Sequence, residues 1–355
     1  MKMHRFRYDA LPARVRFGAG SVSRIADEAE ALGLKRLIVI STEHQSEQAD
    51  QIASLLDSRS AGIFDGAAMH TPIEVTDRAM EIVKERNVDG LIAVGGGSAI
   101  GLAKAIALRT DLPQIVVPTT YAGSEATPII GQTENGHKTT QRTLKVLPEV
   151  IIYDVELTLS LPVAMSMTSG FNAIAHAAEA LYARDANPLV SLMAKEGIAS
   201  LLKGLILVHG DPERLEGRSL SLYGAWLCGV CLGSVGMALH HKICHTLGGS
   251  FDLPHAETHA IMLPHTLAYN LSSAPEAESA LAQVVGRPDP AVALYELAAR
   301  LNIPRRLMDI GMPHEGIARA AELAVSNPYD NPREIDETSI ADMLERAWLG
   351  ERPAE

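Results

Sequence analysis

The sequence predicts two domains of different class, an α/β domain over residues 1–161 and an all-α domain over 162–355. Three observations lead there. The chain has 355 residues, and at about 150 residues per domain that is roughly two domains. Short apolar runs alternate with helical stretches in the first half, which implies a parallel sheet covered on both faces. After Leu161 and Pro162 the strand signals fade and long helical stretches take over.

Residues 36–41 read as a strand and are followed by a polar helical pattern to about Leu56. A strand over 89–94 leads into Gly95-Gly96-Gly97-Ser98 and then a helical run over 99–108. Residues 114–117 and 150–153 supply two more strands. In the second half, 169–183, 188–207 and 219–245 read as helices. Residues 219–239 carry no charge and are long enough to span a bilayer. Gly224, Gly229, Gly233 and Gly236 within them favour a closely packed core helix instead, because small residues let helices approach. The tail beyond Trp348 is polar and is expected to fray.

Apolar residues make up 47% and charged residues 21%, which excludes a disordered chain. Aromatics are only 4%, so the core must be aliphatic. Lys+Arg number 31 against 43 Asp+Glu, a net charge of −12 that argues against a nucleic-acid partner. One local pocket for a small anion stays compatible with that balance. Cys228, Cys231 and Cys244 are few and odd in number, so no disulfide framework is implied and a reducing cytoplasm fits. Cys228 and Cys231 have the spacing of a redox or zinc half-site. No second pair exists and the segment is apolar, so they read as buried, inert thiols. The basic start, Met1 to Arg7, lacks the apolar stretch of a secretory signal.

Gly95, Gly96, Gly97 and Ser98 stand where a strand ends and a helix begins. Glycines there let backbone N–H groups approach a phosphate at the helix N-terminus. The spacing does not complete G-x-G-x-x-G, because residue 100 is Ile. The segment from Val117 to Glu125 places Thr119, Thr120 and Ser124 at the carboxyl edge of the same sheet, where open α/β sheets bind ligands. Their hydroxyls suit ribose and phosphate oxygens, or simply cap the next helix.

Six of the 13 histidines fall within residues 240–265. His241 and His245 share a helical face, as do Asn172 and His176. Histidines four apart can hold a metal or position a proton donor. His255 follows the break at Gly248-Gly249, while His240, His259 and His265 read as structural or surface residues.

These motifs, Gly95 to Ser98, Pro118 to Glu125, Ser169 to His176, and His241, His245 and His255, resemble the iron-containing alcohol dehydrogenase family in order and spacing over about residues 10–270. Residues 101–107, Lys138, Arg142, Lys145 and Asn172 are similar to the branch that reduces maleylacetate. The resemblance implies a dinucleotide-binding domain, a helical catalytic domain with the site in the cleft between them, and a cytoplasmic homodimer. It implies NADH or NADPH as hydride donor, a small dicarboxylate substrate, and reduction of the conjugated C=C of maleylacetate to 3-oxoadipate in aromatic-compound catabolism. It also implies no membrane.

In the metal-dependent relatives an Asp and three His hold an ion. The matching positions here are Asn172, His176, His241 and His255. Loss of the anionic ligand weakens divalent-metal binding, so no metal is expected, although three His and a water stay chemically open. Gly101 stands where those relatives carry Asp. Ser41 ends a strand where an acidic residue would hold the ribose 2′-OH and repel a 2′-phosphate, so both cofactors are expected to be accepted.

By the same resemblance, His241 and His245 are expected at the reacting atoms, with His176 and His255 in support. Lys242, Asn172, Arg142 and Lys145 are candidates for substrate carboxylates, and Lys138 for the cofactor ribose. Two other readings stay open: a metal-dependent alcohol or polyol dehydrogenase, and a non-catalytic dinucleotide-binding sensor.

Overall fold

The computed structural model of the chain describes residues 6–11, 13–134 and 137–354. The chain forms two compact units, one over Ala10–Leu161 and one running from Pro162 through the C-terminal helix.

The first unit runs β1 (Arg14–Phe17), α1 (Ile25–Ala31), β2 (Leu37–Ile40), α2 (Ser46–Leu55), β3 (Ser60–Phe64), α3 (Ile73–Glu85), β4 (Gly90–Gly95), α4 (Gly97–Thr110), β5 (Gln114–Pro118), β6 (Ile129–Glu134), β7 (His137–Arg142) and β8 (Val150–Tyr153). Among the described residues, six strands make one parallel sheet in the order β1-β8-β5-β4-β2-β3, and β6 and β7 form a separate hairpin. The four strands expected from sequence are β2, β4, β5 and β8. Each is buried along its whole length, as a run covered by helices on both faces must be. Gly95 pairs with Pro118 in the β4–β5 register, so the turns after both strands leave the same edge of the sheet.

β1, β3 and the hairpin escaped the sequence reading. β1 alternates charge with apolar residues and lies at the sheet edge. Arg14 and Arg16 both pair there with the buried Glu28 carboxylate of α1. That pairing holds the Glu28 pKa below its usual value against the upward push of burial.

The second unit is helical: α5 (Val163–Tyr182), α6 (Pro188–Gly210), α7 (Leu215–Ser234), α8 (Leu239–Phe251), α9 (His255–Leu271), α10 (Pro275–Val285), α11 (Pro290–Arg300), α12 (Gly316–Val325) and α13 (Glu337–Leu349). The uncharged stretch is not one helix. It breaks after Ser234, and α8 departs from α7 at 95°. Among the described residues no single helix is long and apolar enough to cross a membrane, and only this bent pair passes by length and composition. The tail expected to fray is tied down at Gly350, whose carbonyl accepts the Tyr295 hydroxyl at 2.6 Å.

Small residues set the approach of α6 to α7. A Cβ on Gly224 would lie 2.7 Å from the Gly197 carbonyl oxygen, and one on Gly204 would lie 2.6 Å from the Ser221 backbone nitrogen. Backbone cannot yield as a flexible side chain can. Gly224→Ala is therefore expected to lower stability by about 1–3 kcal/mol through overpacking, read as a lower calorimetric midpoint. An unchanged midpoint would contradict this packing.

Candidate active site

The first group of candidates lies on the carboxyl edge of the sheet. A Cβ on Gly95 would strike Gln45 Oε1, and one on Gly96 would lie 2.8 Å from Thr120 Cγ2. A Cβ on Gly97 would meet nothing within 4 Å. Two of the three glycines thus make room for the protein's own side chains. Only Gly97 opens ground for a ligand, at the N-terminus of the 14-residue α4, where free N–H groups and the helix dipole favour an anion. Ser98 follows on the first turn, half-buried.

The Thr42 hydroxyl donates to Gln45 Oε1 at 3.0 Å, and Gln45 Nε2 donates to Thr119 Oγ1 at 2.8 Å. That order leaves the Thr119 hydroxyl proton for an acceptor oxygen. Thr71 occupies the space that a side chain at position 101 would need. His70 and Thr71 hold φ of 63° and 49°, a left-handed conformation that is strained for a β-branched residue. Such strain collects at functional sites.

Two hydroxyls expected at the cofactor are buried. Ser41 is fully buried and its Oγ has no partner, while its backbone N–H is bonded to the Phe64 carbonyl. Ser124 Oγ is likewise buried and unpartnered, and its carbonyl rather than its hydroxyl is used. The side chain of Lys138 lies outside the described residues. Arg142 ends β7 and is exposed, and exposed Lys145 reaches Asp111 at 4.0 Å.

The second group lies in the helical unit, where α5, α8 and α9 bring six histidines together. His259 sits centrally, with ring centroids 4.3 Å from His255, 4.9 Å from His240, 5.1 Å from His241, and 6.2 Å from His176 and His245. His245 and His255 are exposed and stack at 6.3 Å with ring planes 24° apart, while the other four are buried. His240 and His259 belong to the cluster as buried, hydrogen-bonded rings, consistent with the structural reading of them and not with a surface one. His265 stands apart against Tyr295. Lys242 places its ammonium over the Tyr329 ring, 5.9 Å from the centroid. Asn172 is buried with Oδ1 unpartnered.

The hydrogen bonds divide the buried histidines into two chains. In the first, buried Glu179 accepts the His240 backbone N–H at 2.7 Å and His241 Nδ1–H at 2.5 Å. A carboxylate only accepts, so His241 is fixed with a proton on Nδ1, and its Nε2 faces His176 Nδ1 at 2.8 Å. In the second, the Thr266 hydroxyl donates to the Met262 carbonyl and so accepts from His240 Nδ1–H at 2.9 Å. His240 Nε2 must then accept His259 Nδ1–H at 3.0 Å, which leaves His259 Nε2 a buried lone pair without a partner. His240, Cys244 and His259 place ligand-type atoms within 4.8 Å of one another. They fit a metal poorly: the His240 lone pair is already used, and burial pushes the Cys244 thiol well above its usual pKa. Glu179 escaped the sequence reading, because a lone Glu on an apolar helix carries no motif of its own.

Burial pulls the pKa of His240 and His259 well below the ordinary histidine value, and that of His265 down to about 4. These rings stay neutral in the folded state while the unfolded chain binds protons below about pH 6.5, so stability falls as pH drops through that value. The expected loss is on the order of 1 kcal/mol per pH unit per group. Thermal midpoints recorded from pH 7.5 to 5 check it, and a flat profile would contradict the buried neutral rings.

Residues 12–155 match the family described as iron-containing alcohol dehydrogenase, and residues 166–348 match the family described as Fe-containing alcohol dehydrogenase, C-terminal. The chain is 55% identical to the maleylacetate reductase of Rhizobium sp. strain MTP-10005, over 99% of this chain and 100% of that one. It is 54% identical to the maleylacetate reductase of Sphingobium indicum, over 98% and 99%. The crystal structure of maleylacetate reductase from Agrobacterium tumefaciens superposes with a TM-score of 0.96 at 55% identity, covering 99% of this chain and 100% of that one. The paired units, the glycine turn of α4 and the histidine-bearing helices are thus those of a known lineage, and the chain belongs to the iron-containing alcohol dehydrogenase family.

Proposed function

We propose that this protein is an NAD(P)H-dependent oxidoreductase that reduces maleylacetate to 3-oxoadipate, without a catalytic metal. The observation that carries the reading is near full-length similarity to maleylacetate reductases, joined to a cluster of imidazoles and to a buried neutral amide, Asn172, four residues before His176 on α5.

The family's ion fits this donor set poorly. The carboxylate position is Asn172, which brings no charge, and two of the three imidazoles, His176 and His241, are bonded to each other. The carboxylate bonded into the cluster among the described residues, Glu179, is already engaged by two N–H groups. A dinucleotide fits the other unit well, with open backbone at Gly97 and Ser98 and a hydroxyl proton presented by Thr119. Thr120, packed over Gly96, shapes that edge. NADH or NADPH bound there supplies the hydride that reduces the conjugated C=C.

What the protein's own residues contribute follows from the cluster. Maleylacetate carries two carboxylates, and its reduction at the carbon β to the ketone leaves an enolate that must be protonated. The pair His245 and His255 is exposed, on the side of the cluster that an anionic substrate can reach. We assign His245 as the proton donor to the enolate carbon. His241 and His176 stabilise the charge from beneath, with His241 held in one tautomer by Glu179. Lys242, Arg142 and Lys145 remain weaker candidates for the carboxylates. Three buried free thiols suit a reducing cytoplasm, and sedimentation equilibrium would test the homodimer of this reading.

The direct test is nicotinamide oxidation on adding maleylacetate; no oxidation with either cofactor would overturn the reading. Glu179→Gln leaves one acceptor for two N–H donors, so turnover should fall on the order of a hundredfold; a value near wild type would remove Glu179 from the account. His245→Gln should keep NADH binding and lose turnover, and unchanged turnover would take the proton-donor role from it.

A further inference from the structure

Lys104 lies on α4, seven residues beyond Gly97, which is about 10 Å along a helix axis. It is 1% exposed. Its ammonium donates to the carbonyl oxygens of Ser124 at 2.6 Å, Thr127 at 2.7 Å and Ile129 at 2.9 Å, and reaches the Thr127 hydroxyl oxygen at 3.1 Å. Thr127 in turn donates to the Ser124 carbonyl at 2.9 Å, so its oxygen is free to accept from the lysine. The backbone from Gly123 to Ile129 is wrapped around a buried cation, as a loop is wrapped around a metal ion. This loop is the continuation of Thr119 and Thr120.

Burying an ammonium is costly, and an apolar side chain would fill the same space at less expense if packing were the only need. Only the charged form offers three N–H donors to these acceptors. Burial draws the Lys104 pKa down to about 7, with buried Glu125 the opposing influence.

We infer that Lys104 is a positioning residue for the dinucleotide: it ties the helix that receives the phosphates to the loop that carries Thr119 and Thr120, and so holds both parts of the cofactor site in one geometry. This rests on the reading of that sheet edge as the dinucleotide site, and it assigns Lys104 no contact with substrate.

The test is NADH titration by fluorescence on the full-length protein, its Lys104→Ala variant and its Thr127→Val variant, with KM measured for both NADH and maleylacetate. Loss of a charged hydrogen-bond centre should weaken NADH binding of Lys104→Ala about tenfold or more, while KM for maleylacetate stays near wild type. Added n-propylammonium, which replaces the missing atoms, should restore part of the NADH affinity. Thr127→Val keeps the lysine and removes one acceptor, so it should weaken NADH binding by a smaller factor even if Lys104→Ala fails to fold. Variants that bind NADH as wild type does, or an equal rise in both KM values without rescue, would overturn the inference. Failure of the wild-type protein itself to bind NADH would overturn the dinucleotide reading and this inference with it.

Discussion

The buried carboxylate of Glu179 is the interaction on which the histidine site depends. It sits on α5 at the N-terminus of α8, where it takes the backbone N–H of His240 with one oxygen and Nδ1–H of His241 with the other. An anion at a helix N-terminus meets the positive end of the dipole and an otherwise unsatisfied donor. Each of its oxygens thereby has a donor, and α8 is anchored at the point where it turns away from α7. The same two bonds settle which nitrogen of His241 carries the proton. Asn331 completes the end of the helix by accepting the Leu239 backbone N–H at 3.3 Å.

From that anchor the cluster separates into parts of different character. Glu179, His241 and His176 form a chain that ends in a carboxylate and can support positive charge. Thr266, His240 and His259 form a chain whose two rings are kept neutral by burial. Above both lie the exposed rings of His245 and His255. The exposed pair thus differs from the internal rings of His240 and His259, which burial keeps neutral.

Much of this was legible in the chain, for identifiable reasons. Strands buried on both faces, such as β2 and β8, announce themselves as unbroken apolar runs, and the glycine turn marks where a strand feeds a helix. β1 and β3 lie at the sheet edges, where the four-residue charged-apolar alternation of β1 is too short to stand out and the small residues of β3 leave no unbroken apolar run. The histidines were visible, His240 and His259 among them, but Glu179 and the bonds that order these rings were not, because they arise from contacts between helices distant in sequence. Ser41 and Ser124 were visible in the motifs, but the burial of their hydroxyl oxygens was not, because it is settled by the strands and turns packed over them. Gln45, Thr71 and Lys104 shape the cofactor edge through tertiary contacts that no local pattern encodes.

The central claim is that imidazoles ordered by a buried carboxylate replace the metal ion of related dehydrogenases. The most direct measurement is the rate of NADH oxidation by maleylacetate with protein stripped exhaustively by chelator, its metal content determined on the same sample. The account predicts the full rate with metal far below one ion per chain. A rate that vanishes on stripping and returns with iron or zinc would contradict it.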